Sequence, residues 1–177
     1  MAVLMAEPAA PLQSEYRTGS DLRTLRAALG CFATGVTIVT CLGPDGTPVG
    51  LTANSFTSVS LDPPLLLVCV GHTATSAAAL TGATHFAVNV LQTGQKPASI
   101  RFATKGDDRF GVTPWSPGEH GPPVLRESLG VFECAVHAVH EGGDHHILVG
   151  EVLRASFDPA LDPLLYFRGR YRRLHFD

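Results

Sequence analysis

The chain has 177 residues, of which 45% are apolar and 16% charged, and its formal net charge at pH 7 is −3. The length suits one domain with a sizeable core, and the composition excludes a disordered chain, which would combine low hydrophobicity with high charge. The acidic balance argues against nucleic acid as a partner, and the low charged fraction suggests a covered surface such as a subunit interface.

The N-terminal part predicts a flexible tail over residues 1–19 and a folded domain over residues 20–177. The first residues lack the basic stretch and unbroken apolar run of a secretory signal. Leucines at helical spacing then predict a helix over 22–29, with Ser20 or Asp21 as its cap and Gly30 at its end.

The next part of the chain is rich in β-branched residues and predicts strands. Residues 35–41 predict a strand, and residues 43–46 predict a turn. Residues 49–60 mix polar and apolar side chains, whereas the continuous apolar run at 65–70 is typical of a strand buried on both faces. No apolar run reaches the roughly 20 residues that span a bilayer, so no membrane partner is expected.

The rest of the sequence predicts alternating short helices and strands, followed by a strand-rich end. Residues 72–82 and 97–104 predict helices, residues 85–91 a strand, and the Pro- and Gly-rich stretch 107–123 a loop. The last third predicts three strands, 130–142, 144–157 and 164–174, of which the first two form a hairpin. Neither a repeated strand–helix–strand pattern nor a GxGxxG motif is present, so a mainly antiparallel barrel fits best.

The four cysteines each lie in or beside an apolar run, namely Cys31, Cys41, Cys69 and Cys134. A domain of this length needs no disulfide to fold. We therefore expect buried, reduced thiols and a cytoplasmic protein.

Two polar regions are candidate binding sites. The stretch 52–60 carries hydroxyls and one amide between apolar strands, so it suits a polar, planar ligand, or else it is a strand edge rich in local turns. Ser99, Arg101 and Lys105, around the helix 97–104, could serve an anion or form a solvated basic face.

The eight histidines give little support for a metal site. Cys134, His137 and His140 are spaced by three residues, which on a strand alternates faces, and His145 and His146 diverge for the same reason. The cysteine pairs and the HExxH motif of zinc sites are absent, and so is the GxSxG nucleophile motif. The residues by themselves thus indicate a β-barrel with a polar ligand site and no metal.

Several motifs in a fixed order resemble one family, the short-chain flavin reductases with the FMN-binding split-barrel fold. The resemblance covers about residues 20–174. The motifs are TGVTIVT (34–40), GLTANSFTSVSLDPPLLLVCV (50–70), HFAVNVLQTGQ (85–95), IRFA (100–103), DRF (108–110) and GGDHHILVGEV (142–152).

The resemblance implies a mainly β fold, a six-stranded antiparallel Greek-key split β-barrel with flanking short helices, in a homodimer. It also implies reduction of FMN or FAD by NADH or NADPH, with the reduced flavin passing to a separate flavin-dependent monooxygenase. Neither the flavin nor the nicotinamide nucleotide is decided by these residues.

The site residues that the resemblance implies fall into one catalytic and one binding group. His145 would orient the nicotinamide or supply a proton. The flavin-binding residues would be Gly35, Val36, Thr37, Thr52, Ala53, Asn54, Ser55, Ser58, Val59, Ser60, Ser99, Arg101, Phe102, Ala103 and Arg109, with Tyr171 bordering the nicotinamide.

Two other functions stay open at this point. The barrel would serve either as a flavin-binding module without turnover, or as an oxidoreductase that keeps its flavin bound and reduces another small molecule. The histidine of the GDHHI motif argues against a pure binder, because such a protein has no use for a residue on the nicotinamide side.

Overall fold

The computed structural model describes residues 14–106 and 108–175, so most of the predicted tail lies outside the described residues. The helices are α1 (Leu22–Leu29), α2 (Ala77–Gly82) and α3 (Lys96–Ala103). The strands are β1 (Thr34–Gly35), β2 (Thr37–Leu42), β3 (Pro48–Ala53), β4 (Thr57–Leu61), β5 (Pro64–Gly71), β6 (His85–Val90), β7 (Trp115–Pro117), β8 (Pro123–Leu125), β9 (Gly130–Gly142), β10 (His145–Phe157), β11 (Leu165–Phe167) and β12 (Arg170–Arg172). None of the described helices combines the length and apolar character needed to cross a membrane.

The strongly patterned elements form where the sequence predicts them. Helix α1 begins after Asp21, whose carboxylate accepts the backbone N–H of Arg23 at 3.0 Å. The β9–β10 hairpin turns at Gly143, which has a φ of +74° that glycine adopts without strain. The mainly β, antiparallel fold is confirmed.

Three predicted elements are wrong in their extent. The predicted helix 72–82 is helical only over α2, because the chain first makes turns after β5. The predicted loop 107–123 contains β7, which pairs with β8. The predicted strand 164–174 is a hairpin of β11 and β12, broken by a turn with positive φ at Arg168 and Gly169.

The main sheet has seven strands, all antiparallel to their neighbours, in the order β3-β2-β6-β9-β10-β5-β4. The resemblance implied six strands, and the sheet has one more; its edge strand β4 is mostly exposed and has five residues. If the sheet were flat, β3 and β4 would lie about 29 Å apart, at about 4.8 Å per strand. Only residues 54–56 connect them, and this connection spans at most about 14 Å. The sheet therefore curls until its two edges meet.

We call this meeting line, formed by residues 54–56 against β5, the seam. Ser55 holds it closed through its side chain, which accepts the N–H of Cys69 at 2.9 Å and donates to the Cys69 carbonyl at 3.1 Å. This side chain extends the closure that the backbone ladder between β4 and β5 makes from Thr57 onward.

The barrel interior is apolar and closely packed. Val39, Val68, Phe86 and Leu148 are fully buried within it. Gly150 permits this packing, because an added Cβ there would lie 2.7 Å from Cε1 of Phe86 and 2.9 Å from Cβ of Cys134. A second, smaller core packs α3 against the barrel through Phe102 and its neighbours.

The structure corrects two expectations, that all four cysteines are buried and that strand β5 is buried on both faces. Cys31 is exposed and Cys69 is half-buried, so only Cys41 and Cys134 are buried as expected. Burial raises the pKa of Cys41 to about 11 and that of Cys134 to about 12, so these two thiols stay protonated at neutral pH. Strand β5 alternates buried and half-buried residues, so it is not buried on both faces. Its second face, with Cys69 and Gly71, borders a cavity beside the seam.

Candidate functional site

A cavity of about 330 Å³ lies outside the barrel, between the seam, the end of β5 and the end of α3. Its size falls at the lower end of small-molecule sites. Its lining combines small residues, hydroxyls and cations with few large apolar side chains. The lining residues are Leu51, Thr52, Ala53, Asn54, Ser55, Cys69, Gly71, Ala74, Thr75, Ser76, Phe102, Ala103, Lys105, Arg109 and His145.

A second cavity of about 220 Å³ continues the first along β3. The two share Thr52, Ala53, Asn54 and Ala103, so they form one extended depression, which we call the groove. The second cavity is completed by Val36, Ser99, Tyr166 and Tyr171. An elongated groove suits a ligand made of a planar group and a long substituent.

Most of the predicted site residues line this groove. The first cavity takes in Thr52, Ala53, Asn54, Ser55, Phe102, Ala103, Arg109 and His145, and the second adds Val36, Ser99 and Tyr171. Gly35, Thr37, Ser58, Val59, Ser60 and Arg101 line neither cavity. Thr37 instead supports the groove from behind, because its hydroxyl donates to the Ala53 carbonyl at 2.8 Å.

The segment 52–55 is shaped by hydrogen bonds within the protein. The Thr52 hydroxyl donates to the Ser99 carbonyl at 2.7 Å, and the Ser55 hydroxyl is engaged at the seam. Asn54, by contrast, is exposed, and its amide nitrogen donates weakly to Thr34 Oγ1 at 3.3 Å. The hydroxyls expected to contact a ligand therefore hold the backbone in place, and Asn54 presents the amide.

His145 stands at one end of the groove, above β5. Its ring nitrogen Nε2 lies 3.5 Å from where a Cβ on Gly71 would be, so the absence of a side chain there lets the imidazole pack on the strand. Its Nδ1 lies 2.6 Å from Asp144 Oδ1. This hydrogen bond, together with the charge of His145, holds the pKa of Asp144 below its usual value. With Nδ1–H directed at Asp144, Nε2 is left to face the groove.

Cations stand at another part of the first cavity, beside the end of α3. The Arg109 guanidinium donates to the carbonyls of Gly50 and Thr104, both at 2.7 Å, which fixes its orientation and leaves other N–H groups free to donate. Lys105 is exposed next to it. Arg101 points elsewhere and donates to Thr113 at 2.9 Å.

The far wall of the groove is aromatic. Tyr171 packs edge-on against Tyr166 with ring centroids 5.4 Å apart, and its hydroxyl lies 2.9 Å from the buried Ser99 Oγ. Ser99 was predicted to contact the flavin and Tyr171 to border the nicotinamide, yet the two side chains contact each other directly. Tyr166 was not predicted, although it lies five residues before Tyr171 in the same hairpin.

The segment that follows β5 contributes residues that the sequence reasoning did not single out. Ala74, Thr75 and Ser76 line the first cavity. Ser76 is only 2% exposed, and its Oγ has no hydrogen-bond partner within the described ranges. A buried hydroxyl without a partner costs free energy, so a polar ligand in the cavity would satisfy it. The hydroxyl-rich sequence HTATS directly after a strand was the available signal.

Comparison with known proteins agrees with this geometry. A family described as "Flavin reductase like domain" matches residues 29–175. The chain is 44% identical over 178 residues to the NADH-dependent FAD reductase of Streptomyces globisporus, covering 98% of this chain and 94% of that protein. It is 50% identical over 151 residues to the stachydrine N-demethylase reductase subunit Stc3 of Rhizobium meliloti, covering 85% of this chain and 65% of that protein.

A solved structure of the Streptomyces globisporus C-1027 NADH:FAD oxidoreductase SgcE6, in complex with NAD and FAD fragments, is also similar. Its TM-score is 0.86 at 45% identity, with 93% of this chain and 99% of that chain covered. The chain spans 65% of the length of Stc3 and 48% of that of a probable flavin reductase from Rhizobium meliloti. The family match over most of the domain shows that this chain belongs to the flavin reductase-like family.

Proposed function

We propose that this chain is a flavin reductase that transfers hydride from NADH to FMN or FAD and releases the reduced flavin to a separate monooxygenase. The observation that carries the proposal is the groove along the seam, with His145 at one part of the first cavity and two cations at another. Relatives named as NADH-dependent FAD reductase and as an FMN reductase (NADH) support the same reaction and favour NADH as the donor.

The groove fits a flavin on chemical grounds. Small residues at Ala53, Gly71 and Ala103 leave room for a flat ring, and Asn54 offers both a donor and an acceptor to its polar edge. The unpartnered Ser76 hydroxyl points to a polar ligand in the same cavity. Lys105 and Arg109 supply the positive charge that the flavin's phosphate needs.

The chain's own residues contribute geometry and electrostatics to the reaction. When flavin and NADH are bound, hydride passes from nicotinamide C4 to flavin N5, and this chemistry belongs to the two nucleotides. The groove along β3 would receive the flat ring and leave room for a hydride donor at the short approach that transfer requires. Asn54, which is exposed and lines the groove, would stabilise negative charge as it develops on the ring.

His145 acts at the nicotinamide side. Asp144 orients its imidazole through the 2.6 Å contact, so that Nε2 is directed towards the groove. From there it orients the nicotinamide carboxamide or delivers a proton. Tyr171, on the far wall, borders the bound nucleotides from the other side.

The flavin is expected to exchange with solvent rather than stay bound. Asn54, Ala103 and Lys105 are exposed, so the ligand would remain in contact with water along the groove. A protein that stays yellow through gel filtration would instead favour an oxidoreductase with tightly bound flavin acting on another small molecule.

A homodimer completes the proposal. Large apolar side chains are exposed on the single chain, with Leu61 at 94% and Phe157 at 79% exposure. Strand β10 also runs past its pairing with β5, which ends at Glu151, so its last residues form an open edge on that side. A second copy would cover these surfaces, and light scattering would then give twice the mass of the chain.

We also propose that the protein is cytoplasmic, which its four free cysteines support.

Steady-state oxidation of NADH and NADPH by the purified protein tests the function. The protein is assayed with no flavin, then with FMN, FAD or riboflavin. Oxidation that requires added flavin and saturates with it would support the reductase and identify both substrates. Flavin binding without oxidation under any combination would overturn the proposal in favour of a binding module.

A further inference from the structure

Two histidines and one glutamate meet at the end of the barrel, on the opposite face of the β9–β10 hairpin from His145. We call His72, Glu141 and His146 the His–Glu–His cluster. His146 pairs with Glu141 on β9 and with Val70 on β5, and His72 follows two residues after Val70. Residues opposite each other in a sheet, and residues two apart on one strand, share a face. Three neighbouring segments thus direct these side chains to one place.

The ligand atoms of this cluster lie close enough together to converge on one ion. Glu141 Oε1 lies 3.0 Å from His146 Nδ1, and Glu141 Oε2 lies 3.1 Å from His72 Nε2. One ligand atom from each residue lies within 4.8 Å of the other two. Ligand atoms of a tetrahedral site with bonds of about 2.0–2.1 Å would be about 3.3–3.4 Å apart. A small shift of the side chains would bring the three atoms onto one ion.

The two contacts of Glu141 are at ion-pair distance, but the one to His146 does not have the geometry of a hydrogen bond. His146 Nδ1 is buried and, in the part of the chain that the structure describes, has no hydrogen-bond partner, although the carboxylate is at ion-pair distance. The two imidazole rings are 4.3 Å apart at their centroids and tilted by 47°. Two close imidazoles that face one carboxylate, with a ring nitrogen not aligned for a hydrogen bond, are arranged as ligands around a shared cation would be.

We propose that the His–Glu–His cluster binds a divalent transition-metal ion of the zinc class. Two imidazole nitrogens and one carboxylate oxygen suit Zn²⁺, Co²⁺ or Ni²⁺ and do not suit Mg²⁺ or Ca²⁺, which prefer oxygen ligands. The Glu141 side chain is 72% exposed, so a water molecule completes the coordination. The site does not depend on the proposed reductase activity, because none of its three residues lines the groove.

The backbone around the cluster is suited to hold an ion. The N–H of His72 donates to the Asp144 carbonyl at 3.0 Å, which ties the segment after β5 to the hairpin turn. A metal ion would add a second tie between the same two segments. Binding to the folded chain alone would therefore raise its thermal stability.

The test is Zn²⁺ and Co²⁺ binding to the full chain without a purification tag, in a Cys31→Ser background that removes the exposed thiol. We expect one saturable equivalent of Zn²⁺ by calorimetry, a visible Co²⁺ spectrum of tetrahedral type and a rise in melting temperature. His146→Ala should weaken Zn²⁺ binding at least tenfold. His140→Ala is the matched control, because His140 is an exposed histidine of β9 outside the cluster. This variant should bind Zn²⁺ with the same affinity as the parent protein.

Glu141→Gln provides a second variant that keeps the fold, since its side chain is largely exposed. It should also weaken Zn²⁺ binding at least tenfold, with an unchanged circular dichroism spectrum. Absence of a saturable equivalent in the parent protein would overturn the proposal. Equal affinity in His146→Ala, Glu141→Gln and His140→Ala would overturn it as well, because the ion would then bind elsewhere.

Discussion

The barrel wall formed by β6, β9 and β10 and the groove along the seam are built in opposite ways. The wall consists of long paired strands that carry the fully buried Phe86, Cys134 and Leu148, and its close contacts leave no room at Gly150. The groove is lined by small, polar and partly exposed residues, and its hydroxyls are held by backbone carbonyls. One region derives its shape from packing, the other from single hydrogen bonds.

This difference separates stability from function within one small domain. A change in the wall should act on folding and leave the chemistry of the folded fraction intact. A change in the groove should act on binding or turnover at little cost in stability. The seam, where the two regions meet, is the place where this separation should fail.

The largest effect is expected in the wall, for Gly150→Ala. The added methyl group would collide with Phe86 and Cys134, which are both fully buried, so the free energy of unfolding should fall by about 3 kcal/mol. Urea denaturation measures this loss. Gly82→Ala is the control, because an added Cβ there meets nothing within 4 Å, and it should not destabilise the protein. Equal stability of the two variants would contradict the close packing of the wall.

The next largest effect, a loss of turnover, is expected in the groove for His145→Ala. Loss of the imidazole should lower kcat for NADH oxidation roughly a hundredfold while the Kd for flavin changes little, because His145 acts on the nicotinamide side. Stopped-flow reduction and fluorescence titration measure the two quantities, with His140→Ala as the control. Equal losses in turnover and flavin affinity, or no loss in either, would remove the proposed role of His145.

The seam should show a smaller effect of mixed kind, in Ser55→Ala. This variant loses both hydrogen bonds to Cys69, so its free energy of unfolding should fall by about 1–2 kcal/mol. Flavin affinity should fall too, since the seam backbone lines the groove. Denaturation and flavin titration of the same sample check both. If only the free energy of unfolding changed, the seam would belong to the wall alone. If only the flavin affinity changed, it would belong to the groove alone.

The smallest effect is expected for Lys105→Ala, at the cationic part of the groove. An exposed charge contributes little, so the KM for FMN should rise about fivefold. The KM for riboflavin, which has no phosphate, should stay the same, and Arg126→Ala should change neither. A similar rise for riboflavin would place the phosphate elsewhere, because the effect would then not depend on charge.

The sequence predicted the wall better than the groove, for physical reasons. Apolar runs and glycine turns are local signals, so α1, β6 and the β9–β10 hairpin are found nearly where they were expected. The predicted helix 72–82 was wrong in extent, because alanine-rich composition says nothing of the turns that carry Ser76 into the cavity. Tertiary contacts, not local propensity, decide that segment.

The groove itself could be predicted only in part. The resemblance identified the segment 52–55 and His145, but not that the Thr52 and Ser55 hydroxyls are engaged by carbonyls. It also could not separate Arg109, which lines the groove, from Arg101, which turns to Thr113. The direction of a long side chain depends on partners far along the chain. The sequence did not predict the His–Glu–His cluster for the same reason, since its members come from three segments.

The seam also bears on how the ligand enters and leaves. Residues 54–56 are tied to β5 by the side chain of Ser55, whereas the backbone ladder between β4 and β5 begins only at Thr57. Because the groove lies outside the barrel, a flat molecule would enter and leave it without a lid, and a bound molecule would cover Asn54 and Ser55. Backbone amide hydrogens over residues 54–56 should therefore exchange with solvent faster in the free protein than in the flavin complex. An enzyme that releases its product to a second enzyme would gain from a binding site that needs no lid to open.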